Sequence, residues 1–183
     1  MSTVERVGAA LAGLQHELST PRDGTCCVSI AAADLHACVE RLRRDAGFET
    51  NTFVTAVDRF PNEPRFQLVY QFMSVAHNDR VRVTTTVPGD GPCIATITDL
   101  YPGTAYSERE CFDMFGVMFD GHVGLKRLLM PQGYEHFPLR KDFPHQGIEP
   151  DRLYREWNRK RRERPVNREF AEDAPRAGNE SAS

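Results

Sequence analysis

The chain has 183 residues, enough for one domain with a real core, and 40% of them are hydrophobic against 27% charged. A formal net charge of -3 excludes a whole-chain field for nucleic acid or acidic substrates. No apolar run reaches the roughly 18 residues that span a bilayer, and the early acids leave no room for a signal peptide, so a cytoplasmic protein is expected.

Val4, Val7, Leu11, Leu14 and Leu18 recur three or four apart, which predicts one amphipathic helix from the N-terminus to the break at Thr20–Gly24. Ser2 and Glu5 have capping-box spacing at its start. Residues 25–31 read as a short strand with Val28 and Ile30 on one face. A second helix follows, with Asp34 as N-cap, Leu35, Val39 and Leu42 on its stripe and Gly47 at its end. The period then falls to two: Thr52–Asp58, Phe66–Val75 and Arg80–Val87 predict strands, the last two joined by a turn at His77-Asn78-Asp79. Cys93–Thr98 is a further short strand candidate. Ser107 and Glu110 repeat the capping-box spacing, and Gly116 is placed to end a helix over 105–115.

Beyond Gly121 no period survives, and from Pro131 the chain is dense in Pro and Gly yet too aromatic for a free linker. It is expected to lie in extended form against a surface, its own or a partner's. Arg152–Arg168 is strongly basic, with Tyr154 and Trp157 interleaved, and the last dozen residues have a disordered composition. The pattern predicts an α+β fold, helices on one face of a mostly antiparallel sheet, followed by an extended C-terminal segment. The expected organisation is 1–116 as domain, 117–150 as partner-binding segment and 151–183 as tail.

The five cysteines (Cys26, Cys27, Cys38, Cys93, Cys111) are odd in number and form no C-x-x-C pair, so they read as small buried hydrophobes rather than metal ligands. No dinucleotide turn, phosphate loop or nucleophile elbow is present. Glu108, Glu110, Asp113 and His122 are the candidate acid–base groups. Their interleaving with Arg109, Lys126, Arg127, Arg140 and Lys141, however, resembles an ion-pair lattice, with Arg109 and Asp113 spaced to pair along one helix.

Glu108 to Leu129 carries E-R-E, then an acid at Asp113 with two apolar residues, His122, Lys126 and a Leu128-Leu129 end. Together with Pro138-Leu139-Arg140-Lys141-Asp142-Phe143, this resembles the 30-kDa subunit family of respiratory complex I, the C-type subunit of bacterial NADH–quinone oxidoreductase. The resemblance covers about 50–144. It departs at Tyr106 and Tyr134, where the family often has Trp, at Val123 (Pro) and at His136 (Gly).

The resemblance implies a non-catalytic peripheral-arm subunit at the cytoplasmic side of the inner membrane. It would pack on the large D-type subunit that forms the quinone cavity, and on neighbouring peripheral-arm subunits. FMN, iron–sulfur clusters, NADH and quinone would sit in other subunits, with no nucleic acid and no direct membrane contact. The interface residues it implies are Tyr106, Glu108, Arg109, Glu110, Asp113, Phe115, Gly116, Phe119, Gly121, His122, Lys126, Arg127, Pro131, Tyr134, Pro138, Leu139, Arg140, Lys141 and Asp142. A homologous subunit of a membrane-bound hydrogenase or a deazaflavin-dependent dehydrogenase is the alternative.

Overall fold

The computed structural model describes residues 2–144, 155–156 and 159–160. Residues 2–144 lie in one compact unit, Met1–Ile148, so the stretch from 117 to 144 folds with the helices and sheet. In the second unit, Glu149–Ser183, Arg155, Glu156, Arg159 and Lys160 are helical. The rest of the basic tail, Tyr154 and Trp157 included, lies outside the described residues.

The first helix, α1, is shorter than its stripe implied. It covers Thr3–Ala10, capped as expected: Ser2 Oγ accepts from the Glu5 amide (3.3 Å) and Glu5 Oε2 from the Ser2 amide (2.8 Å). Gly13 then turns the chain at φ +85°, and His16–Ser19 form β1 instead of another helical turn. The apolar spacing is still used: Val7 and Leu11 are buried, and Leu18 reaches back to within 3.5 Å of where a side chain on Gly8 would stand.

β2 (Cys26–Ile30) pairs antiparallel with β1. α2 (Leu35–Arg44) buries Leu35, Cys38, Val39 and Leu42. Asp34 stands at its N-cap without a side-chain capping bond, because a 3-10 turn over Ala32–Asp34 leads into the helix. β3 (Thr50–Asp58), β4 (Phe66–Ser74) and β5 (Asp79–Val87) form an antiparallel meander, with Asn78 at φ +50° in the last turn. The sheet order is β1-β2-β5-β4-β3, antiparallel except between β2 and β5.

Alternation in β4 and β5 puts Phe66, Leu68, Tyr70, Phe72, Val81, Val83 and Val87 on one buried face beneath the helices. Each large apolar side chain buried there contributes roughly 1.5–3 kcal/mol. Four of the cysteines are buried and all are free, but Cys93 is exposed, contrary to the expectation of burial, since it sits at the start of a short edge strand.

That strand, β6 (Cys93–Ala95), is not part of the main sheet. It pairs in parallel with β7 (Met118–Asp120), and α3 (Ala105–Phe115) is the crossover between them. α3 ends at Gly116, in left-handed conformation at φ +77°. Its N-cap is Thr104, not Ser107. A 3-10 turn over Pro102–Thr104 runs straight into the helix, and the Thr104 hydroxyl donates to the Tyr101 carbonyl (2.8 Å). From Gly121 to Pro144 there is no helix or strand, and the chain comes back to the domain through turns closed by Tyr134, Arg140 and Phe143 amides.

Candidate functional site

α3 carries two carboxylates that the chain buries completely, Glu108 and Asp113. They are treated differently. Asp113 Oδ2 accepts from three successive amides, Leu128 (3.0 Å), Leu129 (2.6 Å) and Met130 (2.9 Å). Its Oδ1 takes Arg127 Nη1 at 2.9 Å, and the same nitrogen donates to the Asp113 carbonyl. Burial acts to raise the Asp113 pKa, but the Met130 amide, the Arg127 guanidinium and the other two amides outweigh it and hold it below the ordinary value. The irregular loop is therefore fastened to α3 by one side chain. Arg109 adds to this by donating to the carbonyls of Lys126 (3.2 Å) and Arg127 (3.1 Å), while its guanidinium covers Tyr106. The expected Arg109–Asp113 helix pair does not form, because Arg109 is drawn to these carbonyls and Arg127 takes the acid.

Among the described residues of the chain, Glu108 has no Arg or Lys partner, so the expected ion-pair lattice does not include it there. It accepts from the Thr96 hydroxyl (2.5 Å) and the Ile97 amide (3.0 Å), with His122 Nε2 4.0 Å away. Burial pushes its pKa up against the pull of those donors and of His122. His122 Nε2 stands 3.2 Å from the Ala105 carbonyl, which can only accept, so that nitrogen carries a proton. Its Nδ1 is buried without a hydrogen-bond partner. Glu108 thus ties α3 to the chain after β6, and His122 ties the turn after β7 to the start of α3. Gly121, at φ +81°, makes that turn close against Thr96.

The second block is wired to the sheet. Arg140 Nε donates to the Phe115 carbonyl (2.6 Å), and its guanidinium stacks on Phe137 (4.4 Å) and Phe66 (5.2 Å). Phe115 meets Phe66 edge to face. The guanidinium and the Phe137 ring occupy the space where a Cβ on Gly116 would stand, so only glycine fits. The Leu139 amide donates to the Met114 carbonyl (3.2 Å) and the Lys141 amide to Asp58 Oδ2 (2.8 Å). Arg65 completes the clamp. It binds Asp58 through two nitrogens, at 2.9 and 2.8 Å, and Asp142 at 2.9 Å. Burial works to raise the Asp58 pKa, but Arg65 and the Lys141 and Phe60 amides bring it down to about 2.

The remaining motif residues divide by exposure. Phe119 is in the core; Tyr134 is buried under Arg127, and its amide donates to the Pro131 carbonyl. Pro138 is half-buried. Tyr106, Glu110, Lys126, Leu139, Lys141 and Asp142 stay exposed. Asp58, Arg65 and Thr96 were not singled out in the sequence, since they lie far along the chain from the segments they hold. Among the described residues, no group of three or more His, Cys, Asp or Glu is arranged to hold a metal ion, and no helix is long and apolar enough to cross a membrane.

A general acid must reach substrate, and these two buried carboxylates instead hold loops. Fold and site together define an α+β module whose charged motifs fasten the irregular segment from 121 to 144 to its own helix and sheet. The chain belongs to the family described as the respiratory-chain NADH dehydrogenase 30-kDa subunit, which matches residues 28–149. It is 40% identical over 126 residues to the C-type subunit of NADH-quinone oxidoreductase from Ruegeria pomeroyi, a match covering 68% of this chain and 62% of that protein. It is 51% identical over 96 residues to the C/D 2 subunit of the same enzyme from Aquifex aeolicus, 52% of this chain and 16% of that one. Among solved structures, a chain of the membrane-bound sulfane sulfur reductase, an archaeal respiratory membrane complex, superposes with a TM-score of 0.67 at 25% identity. That match covers 89% of this chain and 94% of the other.

Proposed function

We propose that this chain is a non-catalytic peripheral-arm subunit of proton-translocating NADH–quinone oxidoreductase, complex I. It braces the large D-type subunit around the quinone cavity, and touches its peripheral-arm neighbours, while electrons pass from NADH to quinone elsewhere. FMN, iron–sulfur clusters, NADH and quinone belong to other subunits, and this chain binds no cofactor of its own. It meets the inner membrane only through the complex, on the cytoplasmic side.

The observation that carries this reading is the wiring of the two motifs. The Asp113–Arg127 pair, the Arg140 bond to the Phe115 carbonyl and the Arg65–Asp142 pair fix an irregular segment in which Leu129 and Leu139 stay exposed, beside the exposed Tyr106 of α3. A rigid, sequence-defined outer surface is what a brace needs. The Aquifex protein, which by its name joins the C and D types in one chain, supports a D-type partner.

The test is native purification from detergent-solubilised membranes with a tag on this chain. A complex that contains flavin and D-type subunits and oxidises NADH with quinone is expected; recovery of the chain alone would sink the proposal. The likeness to the sulfane sulfur reductase chain favours one second reading, the same brace in a related respiratory complex such as a membrane-bound hydrogenase or a deazaflavin-dependent dehydrogenase. Recovery of a D-type subunit without a flavin subunit would select it.

A further inference from the structure

Glu108 is buried as fully as Asp113 but faces no arginine or lysine among the described residues, and two hydroxyls connect it to the surface. Thr96 Oγ1 lies 2.5 Å from Glu108 Oε2 and 2.9 Å from Thr98 Oγ1, and it accepts from the Thr98 amide at 3.2 Å. Thr96 is buried and Thr98 half-buried, so the hydroxyls run outward from the acid. A hydroxyl offers one proton and two acceptor sites. With Glu108 ionised, Thr96 donates to the carboxylate and accepts from the Thr98 amide and hydroxyl. With Glu108 protonated, the carboxyl donates to Thr96, Thr96 turns its proton to Thr98, and Thr98 turns its own to solvent. Both states satisfy Thr96 in full with no heavy atom displaced.

The other groups that face Glu108 offer no competing route. Tyr70 on β4 is buried with its hydroxyl unpaired, and Cys111 on α3 is a buried thiol. Burial first, and then nearby acids with Glu108 among them, keep both protonated. Asp99, beyond Thr98, is exposed and stands 2.8 Å from His36. On the side of β7, His122 Nε2 directs its proton to the Ala105 carbonyl at 3.2 Å, with Glu108 Oε2 at 4.0 Å, and Nδ1 meets no acceptor.

We propose that Glu108, Thr96 and Thr98 form a proton-binding relay, a pH-sensitive switch beneath the exposed Tyr106 end of α3. A proton from hydronium enters at Thr98 Oγ1, the Thr98 proton passes to Thr96, and the Thr96 proton passes to Glu108 Oε2. Three O–H bonds break as three form, and the net change is one proton taken from water by the carboxyl. Burial favours this protonated form against the Ile97 amide, the Thr96 hydroxyl and His122, so the proton is held above the ordinary glutamate value of 4.5. Loss of the proton changes what His122 meets. A carboxylate 4.0 Å away then competes with the Ala105 carbonyl for the Nε2 proton. His122, and the turn that carries Val123 at 93% exposure, shift along α3 as a result. The relay is built from this chain alone and goes beyond the assembly reading, which can fail without it.

The experiment is a pH titration of the purified full-length chain, carbon-13-labelled at its glutamate carboxyls and followed by NMR. The Glu108 signal, identified by its loss in Glu108→Gln, should move with a midpoint above 4.5, and the His122 ring protons should move at the same pH. Thr98→Val keeps the Thr96 donor but severs the exit to solvent. At its midpoint the Glu108 carboxyl should give two signals, protonated and ionised, where wild type gives one averaged signal. Thr98→Ser should restore the single signal. Thr96→Val removes a donor that favours the anion and should raise the midpoint. Circular dichroism checks that the variants fold; if Glu108→Gln does not, the signal displaced by Thr96→Val supplies the assignment. One averaged signal in folded Thr98→Val, or a Glu108 midpoint at or below 4.5, would overturn the relay. His122 protons that ignore the Glu108 midpoint would overturn the switch.

Discussion

Asp113 is the single side chain on which the loop after β7 depends. Replacing it by alanine strands three part-buried amides and the Arg127 guanidinium. Removing one partner of such a buried network costs about 3–5 kcal/mol, so Asp113→Ala should lower the urea midpoint of unfolding strongly, a change readable by fluorescence or circular dichroism. The buried acids also give stability an opposed pH dependence. Asp58 has its folded pKa lowered to about 2, and Asp113 is lowered as well. Their contribution is complete above the ordinary aspartate value of 3.8 and is lost as pH falls through the folded values. Glu108 behaves in the reverse sense. Its folded pKa is raised above 4.5, so the folded chain binds that proton more tightly, and stability declines as pH rises from there through the folded value. Glu108→Gln retains an acceptor for the Ile97 amide and removes the charge. Unfolding free energies measured by urea from about pH 4 to 8 should therefore lose this downward slope, while the acid limb set by Asp58 and Asp113 persists.

At the scale of elements, the caps decide where the motifs stand. Gly116 holds α3's left-handed terminus with Arg140 and Phe137 packed over it. Gly116→Ala combines backbone strain with a clash and should cost roughly 2 kcal/mol or more, seen as a lower melting temperature. The main elements were legible in the sequence because their period extends over enough residues: α2, α3 and strands β3 to β5 fall where the spacing placed them. β1 was not, because Leu14 and Leu18 continue a helical spacing while Gly13 ends the helix, and one apolar stripe can be finished by a strand that packs on the same side. β6 was expected as a short strand over Cys93–Thr98 and covers only Cys93–Ala95, while β7, at three residues, is too short for any period to declare itself. The same limit applies to the site. The two motif blocks were visible as clusters of charge, but Arg65 meets Asp142 across 77 residues and Asp58 meets the Lys141 amide across 83. No local spacing encodes contacts of that range. Pairings expected from proximity, such as Arg109 with Asp113, lost to backbone carbonyls and amides that only the folded loop presents.

For the molecule as a whole, the second motif is held by the chain's own sheet, so under the proposed function it would act on a partner only through that sheet. Arg140 is sandwiched between Phe137 and Phe66 and bonded to the end of α3; it does not stand free for a partner's carboxylate. A stacked, partly desolvated guanidinium is worth about 1–2 kcal/mol, and burial lowers its pKa without removing its charge. Arg140→Glu exchanges this for a carboxylate near Asp58 and Asp142, so 137–144 should detach while the sheet, whose core lies elsewhere, stays folded. Trypsin should then cut at Lys126, Arg127 or Lys141 faster than in wild type, with the main melting transition little changed, and recovery of the other oxidoreductase subunits should fall in parallel. Arg140→Lys, which keeps the charge but not the planar stack, should lie between the two. Unaltered proteolysis with lost assembly would mean that Arg140 contacts the partner directly. Accelerated proteolysis with intact assembly would mean that the clamped segment is not the brace.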